Sequence, residues 1–233
     1  MILIVDKNLV LVIKDLKIII YYIYMFNGQA LQDKFVINIL QEKQNGFFIE
    51  LGSNDPYEIN NTYILEKTYN WKGIMVEIDN KYLESYKNQR HNSIHIIQDA
   101  TTIDYNQLFI NNNVPKHIDY LQIDLEPGNG STLITLEKMD KEVLDNYKFA
   151  VITFEHDIYR KDILFEITRN KSREIFENRG YVRVFSDISN LNNPYEDWYV
   201  HPDLVDMNYV EKLIKINMNN YNNNMIEYSN IIY

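Results

Sequence analysis

The sequence predicts an α/β domain, Rossmann-like, built on an open and mostly parallel sheet flanked by helices. Three observations predict it. Apolar runs recur at 47–51, 73–77, 94–97, 120–124, 149–155, 181–185 and 198–200. They lack the alternation of a half-exposed strand, which fits strands buried on both faces. Helical patterns lie between most of them, near 57–68, 80–90, 103–111, 131–146 and 168–178, so right-handed βαβ crossovers are expected. Finally, Glu50, Glu77, Asp124 and Glu155 each stand at or near the end of a run. In such sheets ligands bind outside the carboxyl ends of the strands.

The bulk properties suit this reading. A chain of 233 residues with 45% apolar content is long enough for one globular α/β domain. No Pro/Gly/Ser-rich linker and no internal repeat divides it. The expected organisation is an apolar extension over 1–28, the main domain over 29–205, and a helix with an Asn-rich tail over 206–233. The net charge of -10 disfavours a phosphate backbone, so no nucleic-acid partner is expected. With no cysteine, disulfides and thiolate metal sites are excluded. The bias toward Asn, Ile, Lys and Tyr follows AT-rich codons, as in a large DNA virus or an AT-rich microbe. A cytoplasmic location is expected, the host cytoplasm if the source is a virus. Residues 9–26 are apolar, but Lys14, Asp15 and Lys17 interrupt them. A spanning helix needs about 20 apolar residues, so no membrane span is expected. The stretch is expected to pack on the domain or in a homodimer interface.

The elements follow in order. Residues 29–44 carry apolar positions at 31, 35, 36, 39 and 40, the spacing of an amphipathic helix, and Asn45-Gly46 ends it. The first strand leads into Glu50-Leu51-Gly52-Ser53-Asn54-Asp55. Gly52 lets backbone approach a ligand closely. The G-x-G-x-x-G pattern is absent, which argues against phosphate cradling. Glu77 closes the second strand, placed to accept both ribose hydroxyls of an adenosine. Asp99 follows the third strand, where a carboxylate accepts from an adenine amine. Ser53, Asn54, Ile78 and Ala100 flank these positions and complete the expected cofactor surface. Beyond the last strand comes a helix near 206–216. The segment after it reads either as a frayed tail or as a packed appendage.

Taken together these residues resemble the FkbM-type methyltransferases, a branch of the class I S-adenosylmethionine enzymes. The resemblance runs from about Gln29 to about Tyr159. It is carried by Gln32-Asp33, FFIELGSND at 47–55, Asn61-Thr62-Tyr63, Leu65-Glu66-Lys67, Trp71-Lys72-Gly73-Ile74, Val76-Glu77, DYLQIDLE at 119–126 and Thr153-Phe154-Glu155-His156. It implies a seven-stranded class I fold, S-adenosyl-L-methionine as methyl donor, and O-methylation of a sugar, glycan or polyketide hydroxyl. The cofactor residues it implies are Asp33, Glu50, Gly52, Asn61, Thr62, Glu77, Asp99 and Asp124. Two departures touch the acceptor side. Pro56 stands where the family often has glycine, and Pro127-Gly128-Asn129-Gly130 follows Glu126.

Methyl transfer to a hydroxyl needs a base near the acceptor. The candidates are Asp124, Glu126, Glu155, His156 and Asp157, with His156 favoured because its ordinary pKa lies nearest neutrality. The same cluster could instead hold a divalent cation with Asp124 or Glu126, or be a polar strand end satisfied by loop amides. Arg169 and Arg173, four apart on one helix face, offer either an anion site with Arg160 or a solvated face. The aromatics of 194–202 suit sugar stacking or closure of the core. Two rival functions stand beside this one: a ribose 2′-O methyltransferase acting on nucleic acid, and a non-catalytic cofactor-binding interaction protein.

Overall fold

The structure is a computed structural model that describes residues 26–233 and two short N-terminal strands. These are β1 (Val5–Asp6) and β2 (Leu9–Val10), paired antiparallel. The packing expected for residues 9–26 otherwise lies outside the described residues. Among those described, no helix is long and apolar enough to cross a membrane.

The seven expected strands all form, within a nine-stranded sheet. At its centre is β3 (Phe47–Leu51), with β4 (Lys72–Glu77) and β5 (Ser93–Ile97) on one side. On the other side lie β6 (His117–Ile123) and β7 (Lys148–Glu155), and these five strands are parallel. Next to β7 runs β9 (Asn193–Val200), antiparallel to both β7 and β8 (Val182–Asn190). The chain thus moves outward from β3 to β5 and then crosses back to β6. That reversal opens a crevice above the carboxyl ends of β3 and β6.

The two extra strands come from the Asn-rich tail. A small hairpin, β10 (Tyr221–Asn222) and β11 (Met225–Glu227), adds β11 in parallel to β8. Asn223 and Asn224 have φ of 50° and 65°. A two-residue hairpin turn of this hand needs left-handed backbone at both positions, which asparagine tolerates. The Asn217 carboxamide then clamps the chain end, donating to Ile232 O at 2.7 Å and accepting from Ile232 N at 2.8 Å. The tail is therefore the packed appendage of the two readings.

Helices cover both faces. On one face α1 (Gln32–Ile39), α2 (Tyr63–Tyr69) and α7 (Met207–Asn217) bury Phe35, Val36, Leu65 and Val210 against Phe48, Tyr120 and Trp198. On the other α4 (Tyr105–Asn111), α5 (Ser131–Glu142) and α6 (Ile163–Asn178) bury Phe109, Leu136 and Phe176 against Ile49, Leu121 and Phe154. Successive residues of β3 thus feed opposite cores, which is why its run does not alternate. The expected helix over 80–90 is α3 (Leu83–Gln89). The helix expected from residue 57 begins only at Tyr63, because residues 55–62 fold into a loop at the cleft.

Candidate functional site

A cleft of about 750 Å³ opens at the carboxyl ends of β3 to β6. Glu50, Gly52, Ser53, Asn54, Asn61, Glu77, Ile78, Asp99, Ala100 and Asp124 all line it. Ten of the twelve expected cofactor residues therefore meet in one cavity. Asp33 and Thr62 do not line it. Asp33 is fully buried and accepts from Asn27 N at 2.5 Å and Gly28 N at 3.1 Å, ordering the chain that enters beside the cleft. Burial pushes its carboxyl up to about 6, against the pull of those amides. Thr62 is held from behind by Arg90 Nη2 at 2.7 Å.

The first turn is shaped by a close approach of two strand ends. Gly52 has φ +86°, and a Cβ there would stand 1.8 Å from Asp124 O. Gly52 lines the cleft, and the backbone it admits at this distance is that of the β6 end. Glu77 fixes the turn from the next strand. One carboxylate oxygen accepts from Asn54 N at 2.8 Å and the other from Asp79 N at 2.9 Å. A carboxylate offers about four lone-pair sites, so both oxygens can still accept from hydroxyls. Asp99 caps the next turn through Oδ1, at 2.9 Å from Thr101 N.

Below this ledge sit polar atoms with no partner. Glu50 Oε1, Asn61 Oδ1 and Gln122 Oε1 are buried and unbonded, and all three residues line the cleft. Burial raises the Glu50 carboxyl to about 7, although Arg90, Thr62, Ser53 and Asn60 pull it down. An acceptor left unpaired in the interior costs about 1–3 kcal/mol. Three of them in one cavity call for a ligand that brings donors.

The sequence reading missed the group that builds this wall. Arg90 is fully buried. It pairs with Glu66 at 2.9 Å and donates to Asn60 Oδ1 at 2.8 Å, Thr62 Oγ1 at 2.7 Å and Pro56 O at 3.3 Å. Asn60 in turn donates to Ser53 O at 3.0 Å and Glu50 Oε2 at 3.3 Å. The loop 56–62 thus hangs on one guanidinium. Nothing in the spacing marks Arg90, which closes a polar helical pattern. Asn60 is one residue from the quoted Asn61-Thr62 pair.

On the acceptor side the candidates divide. Asp124 and Glu126 line the cleft. Glu155 lies against Asp124, and burial together with that carboxylate pushes its carboxyl well up. Asp157 is also pushed up, first by burial, with Arg160 opposing. His156 is not brought to the cleft. It is fully buried, with Nε2 3.5 Å from both Asp187 Oδ1 and Asp197 Oδ1. Its Nδ1 accepts from Ile158 N at 3.2 Å. Its partners are thus Asp187 and Asp197, not the Asp124 or Glu126 expected for a shared cation. The three could in geometry hold a metal ion, but arginines already bridge the carboxylates. Arg173 reaches Asp197 at 2.6 Å and Asp187 at 2.9 Å, and Arg169 reaches Asp187 at 3.2 Å. Asp197 is accordingly held far below the ordinary carboxylate range, with His156 and Arg173 outweighing its burial. Arg169 and Arg173 share a helix face as expected, but that face points inward and is neither an anion site nor solvated. The aromatics of 194–202 close the core: Tyr195, Trp198 and Tyr199 are buried.

The strand order is the observation that decides the fold: five parallel strands with a reversal at β3, then β9 inserted antiparallel before β8. The fold is Rossmann-like, of the methyltransferase type. A solved structure from Clostridium thermocellum, described as an rRNA methylase, superposes with TM-score 0.50 and 12% identity, over 75% of this chain and 97% of that one. A protein of the NADB-Rossmann superfamily from Streptococcus agalactiae gives 0.47 and 12%, over 73% and 67%. The METTL16 methyltransferase domain gives 0.48 and 11%, over 74% and 67%. No protein-family model and no curated protein matches the chain.

Proposed function

We propose that the protein is an S-adenosylmethionine-dependent methyltransferase. The observation that carries this is the pair of unpartnered buried acceptors, Glu50 Oε1 and Asn61 Oδ1, beneath the Glu77 and Asp99 carboxylates of a methyltransferase fold. These groups fit the donor. Glu50 and Asn61 would take its α-ammonium group, Glu77 its ribose hydroxyls and Asp99 its adenine amine. When bound, the donor supplies an activated methyl group, so the chain's own task is alignment and removal of a proton. Asp124 is the candidate to take that proton. Its neighbour Glu155, pushed up by burial and by Asp124, lies against the Asp124 carboxyl. Glu126 and Asp157 stand at the outer rim, and His156 supports the fold instead. The motif order between Gln29 and Tyr159 supports an FkbM-type enzyme acting on a hydroxyl of a sugar or glycan.

The test is calorimetric titration with S-adenosylhomocysteine. Glu77→Ala should weaken binding by about ten- to a hundredfold, since hydrogen bonds to a charged group contribute about 1.5–3 kcal/mol. Unchanged affinity in a folded variant would remove the ribose assignment.

Binding should also depend on pH through Glu50. Its native pKa of about 7 lies above the unfolded value, so below neutrality the native state holds an extra proton. An incoming ammonium group favours the carboxylate and displaces that proton. Affinity should therefore rise by up to about tenfold per pH unit as pH approaches neutrality, then level off. By the same sign, the apo fold loses stability as pH rises across that window. Glu50→Gln should flatten the binding profile. A wild-type profile equally flat between pH 5.5 and 8 would show that Glu50 does not meet the ammonium.

A further inference from the structure

We propose that the acceptor is cationic and carries a protonated amine that sits against Asp124 and Gln122, at the open edge of the cleft. This rests on the methyl-transfer reading and names the class of acceptor it serves.

The charge of the cleft gives the first reason. Eight carboxylates line it against one lysine. That lysine, Lys81, is 62% exposed and tied to Asp79 at 2.8 Å. A cleft lined by one sign of charge focuses the field and selects ligands of the other sign.

The donor accounts for only part of this. Its adenosine and amino acid ends use carboxylates of β3, β4 and the turn after β5. The ends of β6, β7 and β9 hold a second set: Asp124, Glu126, Glu155, Asp157 and Glu196. Burial and the mutual proximity of these acids push Glu155 well up and Glu196 to about 8. Arg160 is the cation paired to this set. It lies on the outer side, 2.9 Å from Glu126 and 3.5 Å from Asp157, and is 43% exposed. The arginines that could have received a phosphate, Arg169 and Arg173, are turned away onto Asp187 and Asp197.

An independent observation points the same way. Gln122 is buried and lines the cleft, and its Nε2 donates to Asp124 Oδ2 at 3.2 Å. That bond fixes the carboxamide with Oε1 unpartnered. Of the unpartnered buried acceptors on the cleft wall, Glu50 Oε1 and Asn61 Oδ1 are taken up by the donor, and Gln122 Oε1 is left for the acceptor. An anionic group at this point would face Asp124 and an unpaired carbonyl oxygen, with no unpaired buried donor to receive it. An ammonium group carries three donors and a positive charge, and would satisfy Gln122 Oε1 and Asp124 together.

The experiment uses the whole protein, with and without saturating S-adenosylhomocysteine, titrated with putrescine, glucose, glucose 1-phosphate and Mg²⁺. Putrescine should bind, more weakly at high salt, and glucose 1-phosphate should not. Asp124→Asn should weaken putrescine binding about tenfold or more while its melting temperature stays near that of the parent. Glu126→Gln should lower it by a smaller factor. The inference is overturned if glucose 1-phosphate binds as tightly as putrescine. It is overturned if putrescine binds equally well to Asp124→Asn and Glu126→Gln. It is also overturned if Mg²⁺ is retained and displaces putrescine, which would make the acids a metal site. Failure of S-adenosylhomocysteine to bind is a separate result: it removes the donor reading, whereas the amine arms are read on the free protein as well.

Discussion

Replacing Arg90 with methionine is expected to lower the unfolding free energy by about 3–5 kcal/mol, the usual cost of removing one partner from a buried ion pair. The side-chain volume is nearly kept, so the loss is electrostatic. Glu66 would stay buried at 2% exposure without its guanidinium. Its remaining partners are Ser93 Oγ, Asn92 N and the Lys67 ammonium, and that ammonium stands 3.9 Å away and is one-third exposed, so it offsets the buried charge only weakly. Asn60 Oδ1, Thr62 Oγ1 and Pro56 O would lose a donor at the same time. Because Asn60 braces Ser53 and Glu50, the variant should also bind S-adenosylhomocysteine at least about tenfold more weakly. Urea denaturation followed by titration of the folded fraction measures both. Adding Glu66→Gln to the variant should recover part of the stability, since the unpaired charge is then gone. A single-variant loss below about 1 kcal/mol would mean that the loop 56–62 is held by something else.

The parts of this fold that were legible in the sequence are those set by burial. The β3 run Phe47–Leu51 reads as a two-faced strand because its residues enter two cores. Glu50, Glu77 and Asp124 were legible because the carboxyl ends of parallel strands border the cleft. What was hidden depends on partners distant in the chain. Glu155-His156-Asp157 looks like one cluster, yet neighbouring side chains of an extended segment point opposite ways. Glu155 meets Asp124, while His156 meets Asp187 and Asp197. Those aspartates also concealed strand. Residues 186–197 are mostly polar, so the sequence pattern ends one strand at 185 and begins the next at 198. Their carboxylates are instead satisfied by Arg169 and Arg173 from α6, which lets a polar hairpin, turned at Leu191-Asn192 with φ of 53° and 62°, run into the interior. The Asn-rich tail was obscure for a related reason. Its asparagines serve as turn residues and backbone clamps, and neither use leaves a hydrophobic period to read.

The other large effect is expected at Gly52, and it separates two accounts of that residue. Were its role to let the donor approach the backbone, Gly52→Val would abolish donor binding and leave the apo protein intact. The geometry argues for more. With φ at +86°, any side chain there adopts a strained conformation that costs about 1–3 kcal/mol. A Cβ would also lie 1.8 Å from Asp124 O and 2.8 Å from Asp124 C. Those atoms belong to backbone, so no rotamer change relieves the contact, and the ends of β3 and β6 must separate. They are joined there by Asp124 N donating to Leu51 O at 3.0 Å, and separation would break that bond. A further cost of about 1–3 kcal/mol for overpacking is expected. The apo variant should thus unfold at clearly lower urea concentration, by about 2–6 kcal/mol in all, and Gly52→Ala should show most of the same loss. Donor binding should fall as well, because Glu50 and Asp124 sit on the two strand ends that are forced apart. A Gly52→Val protein as stable as the parent, but blind to S-adenosylhomocysteine, would restore the ligand-contact account and show that the strand ends part at little cost.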